Sequence, residues 1–203
     1  MSRDSVVLGV AGVFFGILVG WIIGSQQEAG RVPPAAPQAA AAPGSAAPQQ
    51  AVAPLDESRA AALKERAARN AKDESVRIEL ANLYFDAGRF QEASDWYASA
   101  LKINPKDVDV STDLGIAYYY TNQPDRALAQ FEQSLQIDSK HVKTLFNIGI
   151  VRAMGKQDLD GAIEVWNKVV AIAPNSEEAR AARQALDRIK AGHQGLGASG
   201  AGK

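Results

Sequence analysis

The side chains that could perform acid–base or metal chemistry are few in this chain and lie far apart. Its 203 residues include two histidines, His141 and His193, and no cysteine. Neither histidine has a second metal ligand at a suitable spacing, so we expect no metal site. Asp158 and Asp160 lie close together, but their position in a turn favours turn and helix-cap roles over a catalytic pair. The sequence contains no nucleophile elbow, P-loop or H-E-x-x-H motif. We therefore expect neither catalysis nor a cofactor.

Small and aromatic residues recur at an interval of about 34 residues between roughly residues 74 and 175. A first segment has the matching patterns Leu80-Ala81-x-x-Tyr84, Leu114-Gly115-x-x-Tyr118 and Leu145-x-x-Ile148-Gly149. A second segment has Ala93-x-x-x-Tyr97, Ala127-x-x-x-Phe131 and Ala162-x-x-x-Trp166, and prolines close two of the copies at Pro105 and Pro174. The third copy contains one extra residue, which we place in a turn near Gly155 to Asp160. This pattern resembles the tetratricopeptide repeat (TPR), a helix–turn–helix unit.

The resemblance implies an all-α fold, a TPR helical-hairpin solenoid with repeats at 74–107, 108–141 and 142–175. Small residues at Ala81, Gly115 and Gly149 would let paired helices approach closely. A flanking helix is expected within 55–73, capped by Asp56 or Ser58, and a polar capping helix within 176–191. The Gly-rich tail at 192–203 is predicted to be disordered. The sequence departs from the family pattern at Arg77 and Ser111, which replace a Trp or Leu, at Ser139, which replaces a Pro, and at Arg152, which replaces a Tyr.

An uncharged apolar segment lies near the amino terminus. Residues 5–24 would form a helix about 30 Å long, which matches the hydrocarbon thickness of a bilayer. We predict a transmembrane anchor here, after a short flank at 1–4. A cleaved signal peptide is the alternative, but the apolar run exceeds the usual 7–15 residues and no A-x-A site follows closely. Four glycines at intervals of four would lie on one helix face and favour packing against another membrane helix: Gly12, Gly16, Gly20 and Gly24.

A flexible Pro/Ala-rich linker is predicted at 25–54, where the composition favours extended polyproline-II conformations over a packed core. Arg3 and the terminal amine precede the apolar segment, whereas Arg31 follows it at a distance. The distribution slightly favours a cytoplasmic amino terminus. We therefore predict a single-pass bacterial protein of the inner (cytoplasmic) membrane with periplasmic repeats. The alternative topology places the repeats in the cytoplasm.

The first helices of successive TPRs line a concave groove. By resemblance, the groove positions of this chain are Ile78, Asn82, Phe85, Asp86, Thr112, Ile116, Tyr119, Tyr120, Lys143, Phe146, Ile150 and Met154. The set is mainly apolar and aromatic, which favours binding of an extended or helical protein segment. Tyr119 and Tyr120 directly follow the core residue Tyr118, so on a helix they must point elsewhere.

One TPR subclass clamps the terminal carboxylate of a peptide with Lys, Arg and Asn side chains in this groove. Asn82 and Lys143 match two of its positions. Ile78, Asp113 and Asn147 stand where that clamp has Lys, Asn and Arg. We therefore predict that no carboxylate clamp forms.

These features together predict a membrane-anchored TPR adaptor that binds a segment of another envelope protein and supports assembly, maturation or translocation. A homo-oligomeric scaffold within an envelope complex is the alternative. The formal net charge is −1 and no basic stripe is present, so a nucleic-acid partner is not expected.

Overall fold

The computed structural model describes residues 53–199 of the chain. These residues form α-helices and one π-helical turn, with no β-strand among them. The predicted anchor at 5–24, its glycines Gly12, Gly16, Gly20 and Gly24, and nearly all of the predicted linker lie outside the described residues. Among the helices of residues 53–199, none combines the length and apolar character needed to cross a bilayer.

Eight α-helices follow one another along the described chain, and successive helices pack together. They are α1 (Glu57–Arg69), α2 (Glu74–Asp86), α3 (Phe90–Leu101), α4 (Val108–Tyr120), α5 (Pro124–Ile137), α6 (Val142–Ile150), α7 (Leu159–Ile172) and α8 (Glu177–Ser199). The π turn, Val151–Gly155, directly extends α6. The pairs α2–α3, α4–α5 and α6–α7 form the three predicted hairpins, with α1 and α8 as the flanking helices.

Aspartates fix where several helices begin. The side chains of Asp56, Asp73, Asp107 and Asp158 each accept a hydrogen bond from the backbone N–H three residues later. This contact satisfies one of the amide groups that a helix start leaves without a partner. The Asp56 cap was one of the two predicted for the first helix, and Asp158 has the cap role expected of it. In the last helix, Ser176 Oγ accepts from Ala179 N at 3.1 Å.

Close approach of paired helices depends on the small residues of the repeat pattern. A Cβ built on Gly115 would lie 2.6 Å from Phe131 Cδ1, and one built on Gly149 would lie 2.6 Å from Trp166 Cδ1. Phe131 and Trp166 are fully buried, so neither ring can turn into solvent to make room. The prediction that glycines let these helices approach is confirmed, because ordinary side chains would collide there.

The departures from the family pattern at Arg77 and Ser111 are accommodated by hydrogen bonds. Arg77 is nearly buried, and its guanidinium donates to the carbonyl oxygen of Asp73 at 2.8 Å and to Ser99 Oγ at 3.1 Å. Ser111 is also buried and accepts from Gln130 Nε2 at 2.8 Å. Each polar side chain has partners, as buried polar groups require.

The extra residue of the third repeat lies at the end of the first helix of that repeat, in a span that overlaps the turn predicted near Gly155 to Asp160. In the first two repeats the closing hydrogen bond runs from Arg89 N to Tyr84 O and from Gln123 N to Tyr118 O, five residues apart. In the third it runs from Asp158 N to Arg152 O, six residues apart. The insertion therefore falls between Arg152 and Asp158, where a wider helical turn absorbs it without disturbing the hairpin.

The last helix is longer than predicted. We expected α8 to end near residue 191 and a disordered tail to follow, but the helix continues to Ser199. No proline follows Pro174, and glycine weakens a helix by only about 1 kcal/mol, so nothing in this sequence forces an end at Gly192. On its inner side α8 buries Ala179, Ala182, Ala185, Leu186 and Ile189. It thereby covers the end of the repeat array, as a capping helix should.

Candidate partner-binding site

Four aromatic side chains form a continuous cluster across the first two repeats. We call this set, Phe85, Phe90, Tyr119 and Tyr120, the aromatic strip. The rings of Phe90 and Tyr120 stack with centroids 4.5 Å apart. Phe85 meets Phe90 edge-on at 5.0 Å and Tyr120 edge-on at 5.5 Å, and the centroids of Tyr119 and Tyr120 are 5.9 Å apart. These geometries are favourable for aromatic pairs.

The strip is assembled from three helix ends. Phe85 lies in the last turn of α2, Phe90 begins α3, and the two tyrosines end α4. Tyr118, their neighbour, packs under the guanidinium of Arg126 with 4.1 Å between the guanidinium carbon and the ring centroid. Tyr119 and Tyr120 therefore point away from Tyr118, as predicted from helical geometry.

All four rings of the strip are half-buried, so part of each aromatic surface stays open to solvent. Burial raises the pKa of the Tyr119 hydroxyl and raises that of Tyr120 to about 12. An aromatic surface of this kind, partly exposed and held rigid by ring–ring contacts, can anchor a partner's apolar side chains at little conformational cost. Phe90 was not among the predicted groove residues, because it belongs to a second helix of a repeat.

The two side chains that match a carboxylate clamp are already engaged within the fold. Asn82 Oδ1 accepts a hydrogen bond from the Tyr97 hydroxyl at 2.6 Å. Lys143 Nζ lies 2.6 Å from Asp113 Oδ1 in a half-buried ion pair. Burial raises the pKa of the Asp113 carboxyl, although the Lys143 charge acts in the opposite direction. With the lysine neutralised by its neighbour, the arrangement offers no concentrated positive charge to a carboxylate.

The remaining predicted groove residues fall into accessible and buried groups. Ile78, Phe146 and Met154 are half-buried. Asp86 is exposed, but neighbouring atoms displace part of the water around its carboxyl group, and this desolvation raises the pKa of that group. Thr112, Ile116 and Ile150 are 0%, 8% and 2% exposed. The structure therefore places these three between helices rather than on a surface that a ligand can reach. A binding role for the accessible members stays a prediction.

One hydrogen-bonded series resembles an acid–base arrangement. His141 Nε2 lies 3.4 Å from Asp109 Oδ1, and its Nδ1 lies 2.7 Å from Thr144 Oγ1. Thr144 Oγ1 is also 2.6 Å from Thr112 Oγ1. Both threonines are completely buried, so no substrate can reach either hydroxyl. The series fastens the second repeat to the third.

The position of His141 at the start of a helix follows from the repeat interval. His141 stands 34 residues after Asp107, which itself stands 34 residues after Asp73. It therefore occupies the helix-cap position of its repeat, and it begins α6 without a side-chain bond to the backbone.

Comparison with known proteins agrees with this architecture. One tetratricopeptide repeat family model matches residues 74–140 and a second matches residues 112–177, so that together they cover about half of the chain. Such repeat domains are generally non-catalytic modules for protein–protein interaction.

Several curated proteins share sequence with the repeat region. The BBSome complex member BBS4 of Mus musculus is 33% identical over 100 residues, 49% of this chain and 19% of that protein. Serine/threonine-protein phosphatase 5 of Rattus norvegicus is 26% identical over 110 residues, 54% of this chain and 22% of that protein. The chain thus spans about a fifth of the length of these two relatives. The photosystem I assembly protein Ycf3 of Prochlorococcus marinus is 30% identical over 103 residues, 43% of this chain and 60% of that protein.

Solved structures show the same fold at low sequence identity. The crystal structure of MamA aligns with a TM-score of 0.58 and 17% identity, over 68% of this chain and 77% of that one. The first TPR domain of human RPAP3, solved by NMR, aligns with a TM-score of 0.52 and 21% identity, over 60% of this chain and 95% of that domain. The 34-residue interval, the three helical hairpins and these matches lead to one conclusion: the chain belongs to the tetratricopeptide repeat family.

Proposed function

We propose that this protein is a membrane-anchored adaptor whose TPR groove binds an extended or helical segment of a partner protein on the periplasmic side of a bacterial inner membrane. By holding that segment near the membrane, it would support the assembly, maturation or translocation of envelope proteins. The aromatic strip is the observation that supports this proposal most directly.

The strip suits a protein segment because its chemistry is apolar and its charges are few. Asp86 is the only charged side chain among the predicted groove residues of the first two repeats, and Lys143 in the third is paired with Asp113. A partner should therefore be held by apolar side chains inserted against Phe85, Tyr119 and Tyr120 rather than by its terminal carboxylate. Amidation of a bound segment's carboxyl terminus should leave its affinity unchanged.

The relatives' names are consistent with such a role. BBS4 is named as a member of a complex and Ycf3 as an assembly protein. The anchor is proposed from the uncharged segment at 5–24, and the periplasmic location from the positions of Arg3 and Arg31. A topology reporter fused after Lys203 tests that location independently of binding.

The binding proposal is tested by crosslinking in native membranes followed by purification of the full-length chain. The wild type is compared with a Tyr119→Ala/Tyr120→Ala variant and with Ile172→Ala, a control that removes an exposed apolar residue from α7. A partner recovered with the wild type and the control, but lost from the tyrosine variant, is the expected result. Equal recovery with all three chains would refute binding at the strip.

Self-assembly stays the alternative prediction. The size of a fragment comprising residues 55–203 distinguishes the two functions, because a concentration-dependent dimer favours the scaffold and a monomer favours the adaptor. If only the protein itself is recovered after crosslinking, from both wild type and tyrosine variant, the scaffold becomes the better account.

A further inference from the structure

A second surface lies between the outer helices of the first two repeats. An open groove of about 870 Å³ runs between α3 and α5, with α4 beneath it. We call it the α3–α5 groove. Apolar side chains line part of it, among them Leu101, Leu114 and Ile137, and Ile137 is one of the two large apolar residues most exposed in the described part of the chain. None of the residues of the aromatic strip lines this groove.

The groove exists at this junction because a large residue is missing there. Ser111 lines it and occupies the position where the TPR pattern has Trp or Leu. The equivalent residue 34 positions later is Leu145, and the equivalent residue 34 positions earlier is Arg77, whose long side chain is nearly buried. Serine fills much less volume than either, which leaves space between the second helices at the junction of repeats one and two.

The charges along the groove have one sign. Lys102 and Lys106 line it, and no Asp or Glu does. Both lysines are exposed, and neither forms an ion pair with any side chain between residues 53 and 191. Most other basic side chains of this region, such as Lys143 and Lys156, are paired with a carboxylate. The α3–α5 groove therefore keeps two uncompensated positive charges beside an apolar floor.

Amide side chains complete the lining. Gln133 and Gln136 lie one helical turn apart on α5, and both are exposed. Within the described region neither amide has a hydrogen-bond partner, whereas Gln130 is engaged by Ser111. A glutamine amide can both donate to and accept from a peptide backbone. Free amides of this kind favour a polypeptide occupant over a purely hydrocarbon one.

We propose that the α3–α5 groove docks an acidic, apolar segment of a partner protein. Its carboxylates would pair with Lys102 and Lys106, its apolar side chains would contact Leu101 and Ile137, and its backbone would bond to Gln133 and Gln136. This site is separate from the aromatic strip, so the protein can hold two segments at once. The argument rests on charge complementarity and on the groove itself, and it stands whether or not the strip binds a partner.

The test is fluorescence anisotropy with the full-length chain in mild detergent. The probe is a labelled peptide of repeated Glu-Glu-Leu triplets, and the comparison peptide has Gln in place of every Glu. Saturable binding of the acidic peptide, about tenfold tighter than that of the Gln peptide and weakened by salt, is the expected result. Lys102→Glu/Lys106→Glu should lower the affinity for the acidic peptide by about tenfold or more, because the double substitution converts two charge attractions into repulsions.

A matched control uses the repeat itself. Lys72 and Lys140 stand 34 residues before and after Lys106, are exposed, and do not line the groove. Lys72→Glu/Lys140→Glu makes the same change in net charge and should leave the affinity within a factor of two. Lys102→Gln/Lys106→Gln should give an intermediate loss, which separates charge pairing from damage to the helix end.

Three outcomes would overturn the proposal. The first is equal affinity for the acidic and Gln peptides. The second is equal loss of binding in the groove variant and in the Lys72/Lys140 control. The third is binding of phosphatidylglycerol vesicles that needs Lys102 and Lys106 while the acidic peptide does not bind, which would assign the groove to a lipid surface. If Tyr119→Ala/Tyr120→Ala recovers the crosslinked partner as well as the wild type does, while the acidic peptide still binds, only the proposed role of the strip is refuted.

Discussion

Replacing Gly115 by alanine tests whether close approach of α4 and α5 holds the second repeat together. The added Cβ would lie 2.6 Å from Phe131 Cδ1, where ordinary contacts are 3.4–4 Å, so the two must separate by about 1 Å. Phe131 is fully buried, so it cannot swing out into solvent without losing its core contacts. Overpacking of this kind costs about 1–3 kcal/mol. The gain in helix propensity from Gly to Ala returns about 0.5–1 kcal/mol. The difference is a net loss of about 0–2.5 kcal/mol, with a central value of about 1 kcal/mol.

The assay is urea unfolding of residues 55–203, followed by circular dichroism. The loss of stability should appear as a lower urea concentration at the midpoint of unfolding, while the dependence of the free energy of unfolding on urea concentration stays unchanged. Phe131→Leu supplies the control, because it removes the ring that the new methyl group would meet. In that background Gly115→Ala should cost less than about 0.5 kcal/mol, which gives a coupling of about 1 kcal/mol between the two positions. An equal cost in both backgrounds, or stabilisation of the wild type, would refute the packing argument.

Two further predictions concern a helix cap and a buried phenol. Asp107→Ala removes the acceptor that lies 2.9 Å from Val110 N, so it should lower the free energy of unfolding by about 1 kcal/mol. Asp107→Asn keeps a capping oxygen and should change that free energy by only about a few tenths of a kcal/mol. Equal losses for the two variants in urea unfolding would contradict the cap. Burial raises the pKa of Tyr120 to about 12, so the unfolded chain ionises this phenol first and stability should fall as pH rises from about 10 to 12. The difference in phenolate absorbance between the wild type and Tyr120→Phe measures that pKa, and a midpoint near 10 would contradict the burial of the ring.

The repeat interval was enough to predict the hairpins, because each repeat makes the same contacts. The repeat pattern predicted close helix approach at Gly115 and Gly149, and the structure shows that Phe131 and Trp166 are the rings that pack against them. The caps at Asp56 and Asp158 followed from local chemistry, in which a short acidic side chain satisfies the first amides of a helix.

Features that depend on contacts between repeats were harder to predict. Thr112 and Ile150 occupy groove positions in the family pattern, yet the neighbouring helices bury them, and a pattern of residue types contains no measure of that burial. The insertion in the third repeat shifted no apolar position before Arg152, so the sequence could not distinguish a π turn from a longer loop. Phe90, from a second helix, joins the aromatic strip through its contacts with Phe85 and with Tyr120 of the next repeat, and the pattern of residue types did not indicate either contact.

The departure at Ser111 was visible in the sequence, but its consequence was not. A small polar residue at a large apolar position can be compensated by a neighbour's side chain or can leave space. Here its hydroxyl is satisfied by Gln130 while the volume stays open as the α3–α5 groove. Only the positions of α3 and α5 show which of the two outcomes occurred.

Site-specific photocrosslinking in cells tests the central claim most directly. A photoreactive phenylalanine analogue replaces Tyr119, in the aromatic strip, or Ile172, an exposed position on α7. The account predicts a crosslink from position 119 to a defined segment of another protein, and no such product from position 172. The same products from both positions, or crosslinks from position 119 only to another copy of this chain, would contradict it.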